Sequence, residues 1–364
     1  MSRAVKYFQV FFIEEPVFRQ AEGAHLEIKV TDEGVTVVVP VLDEACDRSE
    51  AVSHVRDLLE TLLEDRDSLG RVLWYYTAQA VCISRDLAAD VVVYDNMDEL
   101  SAFLGASPEL ITLEEELFAR ADLVFTGGMS LYEAKRHRHA NIHPFPSSID
   151  APHFSTARLG LTAPDDQRLI PHPRIGFFGV IDERMDVDLV SQVADLRPDW
   201  HFVMIGPVVK IEPADLPRRP NIHWLGMKRY AELPEYLSGW DCGFMPFAQN
   251  AATRFISPTK TPEFLAAGLR VVSTPIPDVV APYGERGLVQ IARNAAEVVA
   301  SIHSLLPSQR SGAGSTKWAR AVDQHLALSS WDKTWAAMNA QINAITDETE
   351  TAAIPVPALG FALQ

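Results

Sequence analysis

Two successive runs of short apolar strands alternating with amphipathic helices, parted by a proline-rich stretch, constrain this chain more than any other feature. In the first run, residues 7–13 read as a strand. Residues 26–30 and 35–39 flank Asp32-Glu33-Gly34 and read as a hairpin. Val52, Val55, Leu58, Leu59, Leu62 and Leu63 recur at helical spacing and predict an amphipathic helix over 50–66. Strands follow at 72–75, 91–94, 123–126 and 141–145, with helices at 109–120 and 131–136. The second run places strands at 175–178, 202–205, 222–224, 242–245 and 271–273, the first four closing near Gly179, Gly206, Gly226 and Pro246. Its helices fall at 187–196, about 262–267, 295–306 and 318–345, the last with a break near Ser329-Ser330.

Strand–helix alternation of this kind predicts α/β domains, each a doubly wound parallel sheet of the Rossmann-like type, here two of them facing across a cleft. The expected boundaries are a first domain over 1–150, a linker over 151–173 marked by Pro152, Pro164, Pro171 and Pro173, and a second domain over 174–328. A helix over 329–346 is expected to return to the first domain, and 347–364 to be a disordered tail.

A length of 364 residues suits two domains that each bury a core. The net charge of -17 argues against a nucleic-acid partner, which would require a basic footprint. Cys46, Cys82 and Cys242 form no CxxC pair, so a reducing cytoplasm is the expected location rather than a disulfide framework or a cysteine-rich zinc site. No apolar run approaches the ~18 residues of a membrane span, and residues 1–20 lack a signal-peptide pattern.

The segment richest in chemistry is Ser-Pro-Thr-Lys-Thr-Pro-Glu-Phe-Leu-Ala-Ala-Gly over 257–268, followed by Val-Val-Ser-Thr over 271–274. Pro258 and Pro262 fix the loop, and Pro262 suits the first position of a helix. A helix N-terminus there offers free N–H groups to an anion, and Lys260 can neutralise a phosphate from the same loop. Glu263, in the first turn, can accept hydrogen bonds from two neighbouring hydroxyls, as on a ribose. Gly268 ends the helix.

The spacing Pro-x-Lys-x-x-Glu-Phe-Leu-Ala-x-Gly, then Val-Val-x-Thr, resembles the donor-site signature of family-four retaining glycosyltransferases with the GT-B fold. Arg-Ile-Gly-Phe-Phe-Gly-Val-Ile-Asp-Glu-Arg over 174–184 resembles that family's first second-domain strand and phosphate loop. Strands at 202–207, 221–226 and 241–247 resemble the next ones in order. Tyr94-Asp-Asn-Met-Asp and Ala121-Asp-Leu-Val-Phe-Thr-Gly-Gly128 resemble a bacterial subgroup, so that the match runs from about residue 7 to 345.

The resemblance implies a nucleotide-diphosphate sugar as donor, bound by the second domain, and a saccharide or lipid-linked acceptor at the first. It implies that Glu263 holds the ribose and that Lys260 and Arg184 bear on the diphosphate. Close backbone approach falls at Gly179 and Gly206, and the base pocket near Gly226 and Met227. Ser257, Thr259 and Thr261 count among the donor contacts. Asp95 and Asp98, with Gly127 and Gly128, mark the acceptor side, and Asp95 with Lys260 and Arg184 forms the candidate catalytic set. Retention, with no metal and no cofactor, is the expected chemistry.

The pattern departs from the family at three places. Phe255 stands eight residues before Glu263, where the family carries a paired glutamate, so that sugar contact falls to Asn250 or Arg254. Asp95 stands where a histidine is common. The chain reads as beginning at the family's second strand, with no first strand, glycine-rich loop and helix before Tyr7. A non-catalytic sugar-nucleotide-binding subunit and a GT-B-fold sugar-nucleotide epimerase are the alternative readings.

Plainer roles stand beside these. Arg184 can pair with Asp182 or Glu183, and Asp95 and Asp98 can cap a helix. The basic run Lys-Arg-His-Arg-His over 135–139 is a solvated helix end, or else a contact to the acceptor or, peripherally, to anionic lipid at the inner membrane face. His137, His139 and His143 lack metal-site spacing. Trp331 and Trp335 fit helix packing better than sugar stacking.

Overall fold

The computed structural model describes every residue except 22, 65–69, 307–311, 350–358 and 362–364. The chain divides into two compact units: Met1–Ser101 with Gly105–Phe145 and Asp332–Gln364, and Ala102–Leu104 with Pro146–Trp331.

The first unit is built on a nine-stranded sheet. Its strands are β1 (Phe11–Ile13), β2 (Val17–Phe18), β3 (His25–Val30), β4 (Thr36–Leu42), β5 (Val72–Tyr75), β6 (Val91–Asn96), β7 (Leu123–Thr126), β8 (Ile142–Pro144) and, from the chain's end, β15 (Leu359–Phe361). The order is β2-β4-β1-β15-β5-β6-β7-β8, with β3 antiparallel on β4 and the other pairs parallel. Helix Arg48–Leu63 starts where Asp47 accepts from the Ser49 N–H at 2.8 Å, and it lays Val55, Leu59 and Leu63 on the sheet beside Val38 and Leu42. On the other face, helix Trp331–Thr349 sets Met338 and Ile342 against Val93 and Phe125, with the Trp335 ring 6.0 Å from that of Trp74.

The tail differs from expectation. Instead of disorder throughout 347–364, Leu359–Phe361 form β15, with Gly360 opposite Phe12 on one side and Trp74 on the other. The rest of that stretch from 350 onward lies outside the described residues.

The second unit carries a six-stranded, all-parallel sheet in the order β11-β10-β9-β12-β13-β14. The strands are β9 (Arg174–Phe178), β10 (His201–Ile205), β11 (Ile222–Trp224), β12 (Cys242–Met245), β13 (Val271–Ser273) and β14 (Gln290–Ile291). Both faces are buried, one with Phe178, Trp240 and Phe264, the other with Phe177, Trp200 and Phe202. Such burial explains why these strands read as continuous apolar runs rather than alternating ones. Strand order reverses between β9 and β12, and in open α/β sheets the crevice at the carboxyl ends of such a pair is where ligands bind.

Residues 151–173 are not a linker. Asp150 accepts from the His153 N–H at 3.2 Å and starts helix Ala151–Ser155, while Phe154, Ala157 and Ile170 enter the second core. The prolines that suggested a linker sit at helix starts and turns, where a missing N–H costs little.

Candidate functional site

Helix Lys260–Ala266 follows β12 and lies beside the end of β9, at the point where the strand order reverses. It begins two residues earlier than the sequence suggested, so Pro262 is its third residue, still among the orphan N–H positions. Phe264 and Leu265 anchor it in the core. Its far end is held by Arg158, whose guanidinium donates to the carbonyls of Ala266 at 2.6 Å and Leu265 at 3.1 Å. A cation on C-terminal carbonyls stabilises a helix by about 0.3–2 kcal/mol.

The Lys260 side chain runs across the backbone of Gly179. A β-carbon at 179 would overlap Cε of Lys260 and stand 2.6 Å from its Nζ, and residue 179 has φ +133°, a region closed to other residues. A β-carbon at Gly206 would in turn overlap the Gly179 carbonyl oxygen. Gly179 and Gly206 thus form a bare backbone floor at the ends of β9 and β10, with a lysine laid over it. The ammonium lies 5.9 Å from the centre of the Phe177 ring.

Glu263 is half-buried on the same helix. Burial pushes its carboxyl up to about 7, and the Lys260 charge pulls the other way. Tyr230 lies near enough that, after burial, the charges of Glu263 and Asp150 help push its phenol up to about 12. The Tyr230 ring stacks on His153 at 4.5 Å and 13°. Both belong to the Glu263 neighbourhood, and sequence reasoning missed them: nothing local joins residues 77 apart.

Other sequence candidates are placed differently. Arg184 is held by Asp182, with Nη2–Oδ2 at 2.6 Å and Nε donating at 3.0 Å, and its guanidinium lies 5.3 Å from the centre of the Phe103 ring. Asn250 caps a short turn, accepting from the Thr253 N–H at 3.1 Å and donating to the Glu183 carbonyl at 2.9 Å. Arg254 is exposed and lies 5.1 Å over the half-buried Phe255 ring. Thr261 is fully buried and donates to the Met245 sulfur at 3.5 Å, so its hydroxyl faces the core rather than a donor. Ser257 and Thr259 are half-buried in the loop, and Gly226 and Met227 are exposed past the end of β11.

In the first unit, Asp95 is 4% exposed on β6. The Trp74 indole donates to Oδ2 at 3.2 Å, Oδ1 has no hydrogen-bond partner, and burial pushes the carboxyl up to about 7. The Asp98 carbonyl accepts from Asn96 Nδ2 at 3.0 Å. Gly127 packs on the Met97 carbonyl, and Gly128 precedes helix Met129–Lys135. Within the basic run Lys135 is buried, Arg138 and His139 are half-buried, and Arg136 and His137 are exposed. Lys135, 3% exposed, pairs with Glu99 at 2.9 Å and with Glu114, and Arg138 reaches Glu114 at 2.6 Å. Among the described residues, no helix is long and apolar enough to cross a membrane.

Solved structures resemble most of the chain. A UDP-forming trehalose-phosphate synthase from Burkholderia xenovorans superposes with TM-score 0.66 at 10% identity, covering 93% of this chain and 99% of its own. Sucrose-phosphate synthase from Thermosynechococcus elongatus gives 0.66 at 11%, covering 95% and 91%. HepE of Anabaena, solved with UDP and glucose, gives 0.64 at 13%, covering 92% and 99%. The fold is therefore of the GT-B type, two Rossmann-like domains in one chain. Residues 172–308, within the second unit, match the family described as glycosyl transferases group 1. TuaH of Bacillus subtilis (strain 168), a protein named for glycosyl transfer in teichuronic acid biosynthesis, is 28% identical over 223 residues, spanning 56% of this chain and 55% of TuaH.

Proposed function

We propose that this chain is a glycosyltransferase that moves a sugar from a nucleotide-diphosphate sugar to a saccharide or lipid-linked acceptor. The observation that carries this reading is Lys260 laid over the bare Gly179 backbone, one helical turn from Glu263, at the strand-order reversal of a group 1 domain. A diphosphate can approach that side-chain-free floor closely and meets one ammonium there, while Glu263 accepts from the ribose hydroxyls. Tyr230, stacked on His153, gives the same neighbourhood an exposed aromatic face.

In the reaction, the bond from the anomeric carbon to the diphosphate oxygen breaks, and an acceptor hydroxyl oxygen bonds to that carbon and loses its proton. Lys260 stabilises the negative charge growing on the departing diphosphate, the task for which other enzymes use a metal ion. Arg184 contributes only if it leaves Asp182. Retention at the anomeric carbon rests on the family resemblance. A surface polysaccharide or its lipid-linked precursor is the acceptor class that the family resemblance implies, and the name of TuaH, from teichuronic acid biosynthesis, supports the polysaccharide.

The test is transfer by the full chain from a panel of nucleotide sugars to acceptors in a cell-envelope extract, in the presence of EDTA, following nucleotide release and product stereochemistry. Metal-free release matched by a glycosylated product supports the proposal. Donor bound but never turned over would make the chain a binding subunit, and donor isomerised without acceptor would make it an epimerase.

A further inference from the structure

Strand β3 pairs only with β4 among the described residues, so its other edge carries no strand. The edge is six residues long and lacks proline, and Ile28 and Val30 on it are 53% and 61% exposed. Edges of this kind are templates for further pairing unless something blocks them.

The register fixes which backbone groups face outward. Thr31 N–H donates to the Val35 carbonyl at 2.9 Å, and Lys29 lies opposite Val37, so the odd residues of β3 bond to β4. The N–H and C=O groups of Leu26, Ile28 and Val30 point the other way. A lysine in mid-edge ordinarily discourages pairing, and Lys29 is exposed there. Here, however, the sequence His-Leu-Glu-Ile-Lys-Val over 25–30 is self-complementary about Ile28.

We infer that the free edge of β3 pairs antiparallel with β3 of a second copy of this chain, about a two-fold axis at Ile28. In that register Ile28 donates to and accepts from its symmetry mate, and Leu26 does the same with Val30 of the other copy. Glu27 of each chain faces Lys29 of the other, so the charge that would block a different register favours this one. Glu27 already pairs with Arg19 of its own chain, and its second oxygen serves the lysine. On the opposite face, Ile28 extends the buried Val38 row into the matching row of the other copy. The contact is isologous and closes at a dimer.

Sedimentation equilibrium on the full chain tests this. The wild type is expected to be a dimer. Glu27→Lys and Lys29→Glu, both at exposed positions, should each set like charges face to face and weaken the dimer by roughly tenfold or more. The double swap Glu27→Lys/Lys29→Glu should restore it. Hydrogen exchange gives a second readout: the Leu26, Ile28 and Val30 amides should gain protection as protein concentration rises. A wild type that stays monomeric up to on the order of 100 µM, a weak range for specific dimers, would overturn the inference. So would a dimer indifferent to both single changes, or one that the double swap fails to restore.

Discussion

Lys260 crosses the backbone of Gly179 so closely that a β-carbon at 179 would occupy the place of its Cε. The two residues come from different βα connections, after β12 and after β9, and meet where the sheet order reverses. Gly179→Ala should therefore expel the lysine from its position as well as strain the backbone. We expect nucleotide-sugar affinity to fall by roughly tenfold and stability by about 1–3 kcal/mol. Gly287→Ala is the control, because φ there is +68° but nothing lies within 4 Å of the added carbon. It should lower the melting temperature and leave donor affinity alone. Calorimetry and thermal melts on both variants separate the lysine effect from backbone strain.

The proposed ribose contact at Glu263 would make donor binding depend on pH. Its carboxyl titrates near 7 in the folded chain against an ordinary value of 4.5, so the native state holds this proton more tightly than the unfolded one. The stability it contributes is complete below about pH 4.5 and is lost as pH rises through about 7. Glu263→Gln should raise the melting temperature at about pH 8 and change it little at about pH 5. Donor affinity should move the opposite way, since an ionised carboxylate is the better acceptor for ribose hydroxyls. The wild type should bind more tightly at about pH 8 than at about pH 6, and Glu263→Ala should cost of order 1.5–3 kcal/mol of binding at the higher pH. Titration calorimetry at both pH values checks the signs.

Asp95 follows the same rule from a different place. Burial lifts it from 3.8 to about 7, so its stabilising share is present below about pH 4 and lost as pH rises through 7. Asp95→Asn should stabilise the chain at about pH 8, with little change at about pH 5, and leave donor affinity unaltered. Melts across that range, with calorimetry on the same samples, test it. A loss of donor binding would place Asp95 in the donor site instead.

Strand β15 joins the end of the chain to the middle of the first unit's sheet, between β1 and β5. Gly360→Pro removes a ladder N–H there and should destabilise the chain by roughly 1–3 kcal/mol. Hydrogen exchange should speed up at β1 and β5 and stay unchanged at β9 and β12. Exchange unaltered at β1 and β5 would detach the tail from the sheet.

Much of this architecture was legible because buried parallel strands announce themselves. Residues 72–75, 123–126, 242–245 and 271–273 are largely apolar runs, and these and 222–224 are each a strand at those bounds. Leu359-Gly-Phe361 gave no such signal, being short and flanked by alanine and proline. It becomes a strand only through partners at Phe12 and Trp74, far off in sequence. The burial of Asp95 could have been read, since it continues the alternation of Val91 and Val93 onto one face of β6. The inward turn of Thr261 could not, because it depends on how its loop lies against its neighbours. The pairing of Arg184 with Asp182 stood in the sequence as one of two roles, and the fold selects it.

The central claim is that the Gly179–Lys260–Glu263 cluster is a nucleotide-diphosphate-sugar site that needs no metal. Its most direct test is titration calorimetry of the full chain in EDTA with a panel of nucleotide sugars, run in parallel on the wild type and Lys260→Ala. The account predicts that at least one donor binds the wild type with a dissociation constant between about a micromolar and a millimolar, and that Lys260→Ala weakens it by roughly tenfold or more. Binding by folded Lys260→Ala as tight as by the wild type, or binding that appears only when Mg²⁺ or Mn²⁺ is added back, would contradict it.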